Sequence, residues 1–155
     1  MATTLFLRET TANGIGSFRD AITTRGASST TGVVNTTASG TNIQWTKTAG
    51  GSALEWISGR VPAGGFTLSG LVTVRLRALE ANMNANAGGR IRLYKRTSGG
   101  TETELTGSPW DDGVEFGTSD AAMDWSFTPT SMAFAEDDRL VIRYFITGVG
   151  TMASG

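Results

Sequence analysis

The sequence has neither cysteine nor histidine in its 155 residues. Without cysteine there is no disulfide staple, thiol nucleophile or thiolate metal ligand, and the redox compartment is left open. Without histidine the usual neutral-pH general base and the commonest zinc ligand are missing. No apolar run approaches the ~20 residues of a membrane-spanning helix. The opening stretch, Met1 to Glu9, carries no basic leader and no long apolar segment, so no signal peptide is expected and synthesis is expected in a cytoplasm. Charge of one sign is not in excess either. Thirteen basic residues against fourteen acidic ones give a net charge of -1, without the global positive field of a nucleic-acid binder.

What the chain does have is the two-residue repeat of half-buried strands. In Leu71 to Leu79, Val72, Val74, Leu76 and Ala78 share one side while Thr73, Arg75 and Arg77 share the other. Arg90 to Arg96 and Leu140 to Ile146 repeat the pattern, and Ser98-Gly99-Gly100 between Arg96 and Thr101 marks a hairpin turn. Leu5 to Leu7, Asn42 to Thr46, Leu54 to Ile57, Thr101 to Leu105 and Trp125 to Thr128 read as further strands. About eight strands, glycine-rich turns and no helical period predict an all-β fold, an antiparallel β-sandwich. A jelly roll is the expected topology and an immunoglobulin-like sandwich the alternative.

The expected organisation is an N-terminal strand and extended arm over 1–41, rich in Thr, Ser and Gly, followed by a sandwich domain over 42–155. Asn82 to Gly89 reads as a small-residue loop, and Glu136-Asp137-Asp138 as the turn before the last strand, with Asp138 accepting from nearby amides. The closing Gly148 to Gly155 reads as a turn whose returning strand is either beyond the sequence or supplied by a partner.

Chemistry-bearing constellations are few. Asp111, Asp112, Glu115, Asp120 and Asp124 could suit calcium, but their spacing is not that of an EF-hand and a solvated loop is the simpler reading. The carboxylates stand in no glycosidase-like motif, and Ser119, Ser126 and Ser131 have no histidine to activate them. Trp45, Trp56 and Trp125 lie in strand-like segments and are expected to fill a core, whereas Trp110 is expected at the surface. No catalytic residue, cofactor or metal ligand is therefore assigned, and the protein is not expected to be an enzyme.

Charge is segregated along the chain. Six basic residues and only Glu80 lie between Arg75 and Arg96, while ten acidic residues and no basic one lie between Thr97 and Asp138. Such blocks are either solvated strand faces that neutralise one another or a two-signed docking surface. Arg75, Arg77, Arg90, Arg92 and Arg96 would form a basic ladder if their strands were neighbours. In the last strand Val141, Arg143 and Phe145 face opposite to Leu140, Ile142, Tyr144 and Ile146, so both faces need cover. These eight residues, Arg75, Arg77, Arg90, Arg92, Arg96, Val141, Arg143 and Phe145, are the candidate interaction surface.

The segments Leu54 to Gly59, Leu71 to Asn82, Arg90 to Arg96 and Asp138 to Ile142 together resemble a tailed-bacteriophage structural domain, a jelly-roll-like sandwich of virion proteins. The resemblance spans roughly residues 42 to 147. It implies a non-enzymatic virion component, foremost a capsid decoration (cement) protein on the outside of the head. Its implied partners are the major capsid protein and further copies of itself, a homotrimer being favoured. A tail, baseplate or fibre module, including a glycan-binding one, is the alternative. Neither nucleic acid nor membrane is an expected partner.

Overall fold

The computed structural model describes residues 5–11, 15, 18–22, 54–80, 86–107 and 110–148. They form eleven strands and no helix: β1 (Phe6–Thr11), β2 (Arg19–Ile22), β3 (Leu54–Ser58), β4 (Phe66–Leu68), β5 (Val72–Ala78), β6 (Ala87–Arg96), β7 (Glu102–Glu104), β8 (Trp110–Glu115), β9 (Ala121–Phe127), β10 (Met132–Phe134) and β11 (Arg139–Gly148). The all-β, sandwich-like architecture expected from the alternation is present. Asn42 to Thr46, residues 82–85 of the loop expected over Asn82 to Gly89 and the terminal 149–155 lie outside the described residues, as does most of the expected arm, while Ala87 to Gly89, expected in that loop, are instead the first residues of β6. Within the expected arm, β1 and β2 are paired strands.

Seven strands make one sheet in the order β1-β2-β3-β11-β6-β7, with β8 pairing the opposite end of β6 from β7. Its pairs are antiparallel except β2 and β3, which run parallel. The other four strands build a long ribbon. β5 pairs β9 and β4 pairs β10, so 66–78 runs beside 121–134. The ribbon is interrupted where Ser69 to Leu71 oppose Thr128 to Ser131. Three residues facing four is the mismatch that bends a strand pair, and Gly70 supplies a φ of 86° there.

Sheet and ribbon share one core. On the inner face of the sheet Ile142 sits between Trp56 and Leu93 in register, and Tyr144 between Leu54 and Ile91. Val74, Leu76, Trp125 and Phe127 come down from the ribbon onto this floor, and all of these side chains are buried in a single cluster. Trp125 meets Tyr144 edge-on with ring centroids 5.4 Å apart. Glycine at 89 makes room for it, because a Cβ there would overlap both rings. Trp56 and Trp125 thus fill the core as expected, whereas Trp45 and the side chain of Trp110 lie outside the described residues.

The turns use the chemistry read from the sequence. Gly100, with a φ of 91°, closes the β6–β7 hairpin, whose Thr97 N–H donates to the Thr101 carbonyl at 2.9 Å. The buried Asp138 accepts from the Ala135 amide at 2.9 Å. A further expectation is corrected: residues 110–115, read as part of a solvated acidic loop, are strand β8. Two acids and a glycine hid the strand, which the basic edge of β6 recruits by pairing Arg90 with Asp111.

Candidate interaction surface

The eight candidate residues fall on two separate surfaces, because β5 and β6 belong to different strand pairs. Arg75 and Arg77 project from the outer face of the ribbon. Arg90, Arg92, Arg96, Val141, Arg143 and Phe145 share the outer face of the seven-stranded sheet, with Phe145 opposite Arg90 and Arg143 opposite Arg92 in register.

Cross-strand register explains the segregation of charge along the chain. On the ribbon, Arg75 donates to both carboxylate oxygens of Asp124, at 2.6 and 2.5 Å, and Arg77 donates to Asp120 at 2.8 Å. On the sheet, Arg90 pairs with Asp111 at 2.8 Å, Arg96 with Glu102 at 2.9 Å and Arg92 with Glu104 at 3.8 Å. The basic block on β5 and β6 therefore meets the acidic block on β7, β8 and β9. Five of its arginines neutralise acids of the same chain, so no free basic ladder forms.

The outer face of the sheet differs from an ordinary solvated face in its depth. Arg143 bridges Glu55 at 2.5 Å and Glu102 at 2.8 Å with a side chain only 21% exposed. Burial pulls its guanidinium pKa down, yet hydrogen bonding to Glu55 and Tyr94 with the charges of Glu102 and Glu55 leaves it raised overall. Three guanidinium groups also lie over rings: Arg143 over Tyr94 at 4.4 Å, Arg92 over Phe145 at 5.6 Å and Arg96 over Phe18 at 5.7 Å. Contacts of this kind contribute about 0.5–2 kcal/mol each, more as water is excluded.

Beneath them lies a second apolar cluster of Phe18, Ile57 and Val141, flanked by Ile15 and Tyr94. Val141 is fully buried there and forms the floor of the face, not its accessible part. Tyr94, Glu55, Phe18 and Ile57 were not among the residues singled out from the sequence. The hairpin turn alone implies that Glu102 opposes Arg96 and Glu104 opposes Tyr94, as observed. Glu55 reaches Arg143 only because β3 lies beside β11, and strand order has no signature in spacing.

Three of the five acids considered for calcium are engaged otherwise, Asp111, Asp120 and Asp124 each being bound to an arginine. Among the described residues no three acidic side chains converge as a metal site would require. A scan against protein-family models gave no match to this chain, and a search of curated proteins gave none either.

Proposed function

We propose that the chain is a structural protein of a tailed-phage virion, a capsid decoration protein that binds the outside of the head and acts by holding surfaces together rather than by turnover. Under this reading the fold is a jelly roll, the partners are the major capsid protein and further copies of the chain, and a trimer is the working unit. The resemblance of residues 42–147 to such domains motivates the reading. The structural observation that supports it best is the outer face of the seven-stranded sheet. Its cations are arginines held against aromatic rings, and its charges are matched within the chain. Arg, Tyr and Phe are enriched where proteins meet proteins, and a neutralised, partly dehydrated face loses less on being covered than one bearing bare charges.

The test is to add purified protein to expanded heads lacking it and to follow their rupture on heating. A ligand that binds the intact shell and not its broken form raises the transition by mass action. Saturating protein is expected to raise the rupture temperature, with weak dependence on salt because the arginines enter the contact already paired. Unchanged rupture at saturation, or virions whose mass spectra never contain the chain, would overturn the reading.

A further inference from the structure

Three arginines stand close together on the outer face of the seven-stranded sheet, and they are not equally satisfied. Arg90 and Arg92 are two residues apart on β6, and Arg143 of β11 is the register partner of Arg92. Arg90 meets Asp111 at 2.8 Å, while Arg143 meets Glu55 at 2.5 Å and Glu102 at 2.8 Å. Arg92 comes no nearer to Glu104 than 3.8 Å, which is beyond hydrogen-bond reach. Its Nε is buried and has no acceptor among the described residues.

Arg92 is therefore held at a cost. Like charges directly opposite one another on antiparallel strands repel, and an enclosed donor without an acceptor gives up hydration that nothing returns. The acids around it are committed to its neighbours, Glu55 and Glu102 to Arg143, Glu102 also to Arg96, and Asp111 to Arg90. The strongest support its charge receives comes from the Tyr94 hydroxyl, a neutral group. The side chain is nonetheless 36% exposed, and its guanidinium lies over the Phe145 ring, 5.6 Å from the centroid.

We propose that Arg92 is the receiving group for a carboxylate, an Asp or Glu side chain presented by the protein that docks on this face. Charge complementarity selects the occupant. One carboxylate supplies the under-paired guanidinium and offsets its repulsion with Arg143, in a pairing whose charge-assisted hydrogen bonds are among the strong ones. A phosphate backbone would instead press several negative charges against Glu55, Glu102, Glu104 and Asp111, all on the same face. Phe145 gives the incoming residue an apolar contact at its side. The inference deepens the decoration reading and rests on its choice of docking face, and the experiments separate the two.

The first experiment uses the isolated chain. Acetate and methyl phosphate are titrated at constant ionic strength while the arginine Nε–Hε signals are followed by NMR. The Arg92 signal is expected to shift saturably with acetate. That of Arg75, whose guanidinium already donates to both oxygens of Asp124, is expected to stay in place. No shift at Arg92, equal shifts at both arginines, or a larger response to methyl phosphate than to acetate would overturn the proposal.

The second uses Arg92→Gln, with Arg75→Gln as its control. Removing an arginine that is under-supplied in the free chain should leave the urea midpoint no lower than the parent's. A clear fall would mark Arg92 as a member of the fold and sink the assignment. Binding of Arg92→Gln to expanded heads is expected to weaken by about tenfold or more, as when one member of an interfacial charge pair is lost. The control should bind as the parent does. Heads that take up Arg92→Gln as well as the parent overturn the proposal and leave the decoration reading standing. Heads that bind neither overturn the decoration reading, and the acetate titration then decides alone whether Arg92 receives a carboxylate.

Discussion

The outer face of the ribbon and the outer face of the seven-stranded sheet are built from the same residue types and behave as opposites. On the ribbon, Thr73 meets Ser126, Arg75 meets Asp124 and Arg77 reaches Asp120, one pair per rung, with every side chain in water. Among the described residues nothing covers them. On the sheet, Arg92, Arg96 and Arg143 lie over rings and pair with carboxylates, Arg143 with two of them, beside an apolar cluster of Phe18, Ile57 and Val141. Identical cations thus make a solvated ladder in one place and a half-closed layer in the other. The apolar floor makes the difference: Val141 and Ile57 force the second face to seek cover, and β5 offers no counterpart on its outer side.

The two faces share one core, and the variant with the largest effect should erase both together. Trp125→Ala removes the ring that fills the space above Gly89 and against Tyr144, and a fully buried Trp truncated in this way costs about 3–5 kcal/mol. Against the 5–15 kcal/mol typical of a domain, a urea melt should show most of the stability gone, with a single transition.

Phe18→Ala should separate the faces. Its expected cost is about 2–4 kcal/mol because the site is at the edge of the fold and can relax. The loss should be local. Amide exchange should quicken across β2 and β3 and leave the β5–β9 pair unchanged. Equal acceleration on the ribbon would show that the second cluster is not a separate unit.

Arg143→Ala sharpens the contrast at the level of charge. It strands Glu55 beside an apolar floor and leaves Glu102 to Arg96 alone, and for a bridge this deeply placed the expected loss is about 1–3 kcal/mol, between the surface and buried limits. Adding Glu55→Gln to the same chain should recover much of it, since the cost lies in the uncompensated charge of Glu55, whereas Glu102 keeps Arg96 as its partner. Arg75→Ala on the ribbon, by comparison, should barely move the urea midpoint.

The same contrast explains how far the sequence could be read. β5 alternates cleanly because one of its faces is wet, so Val74 and Leu76 announced the core and Arg75 and Arg77 the surface. β11 is covered on both faces. There the period disappears, and Val141, Arg143 and Phe145 could be recognised only as needing cover, not as a floor, a bridge and a stacking ring. β8 was missed because Asp111 and Asp112 look like a loop until Arg90 on the neighbouring strand is known. β4 and β10 are three residues each, too short for any period to show. Local rules reach as far as hairpins, as with Arg96 and Glu102. The pairing of Arg143 with Glu55 is set by strand order, which is a property of the packed whole.

The smallest expected effect belongs to the exposed rung of Arg75 and Asp124, and its sign is definite. The hydrogen bond from Arg75 is the largest influence on Asp124 and holds its carboxyl below the ordinary value, with burial opposing and the charge of Arg75 assisting. A carboxylate with a lowered folded-state pKa binds fewer protons folded than unfolded, so stability rises with pH through that window. The contribution of the pair is complete above the unfolded value of about 3.9 and is lost as pH falls through the lower folded value. With side chains 56% and 41% exposed, solvent and salt screen the pair and keep the effect small. Carbon-detected NMR should find Asp124 titrating below an isolated aspartate, and Arg75→Ala should return it to the ordinary range. If Asp124 titrates normally in the intact chain, the ribbon's outer face is a row of solvated neighbours without coupling, and the contrast with the sheet becomes wider still.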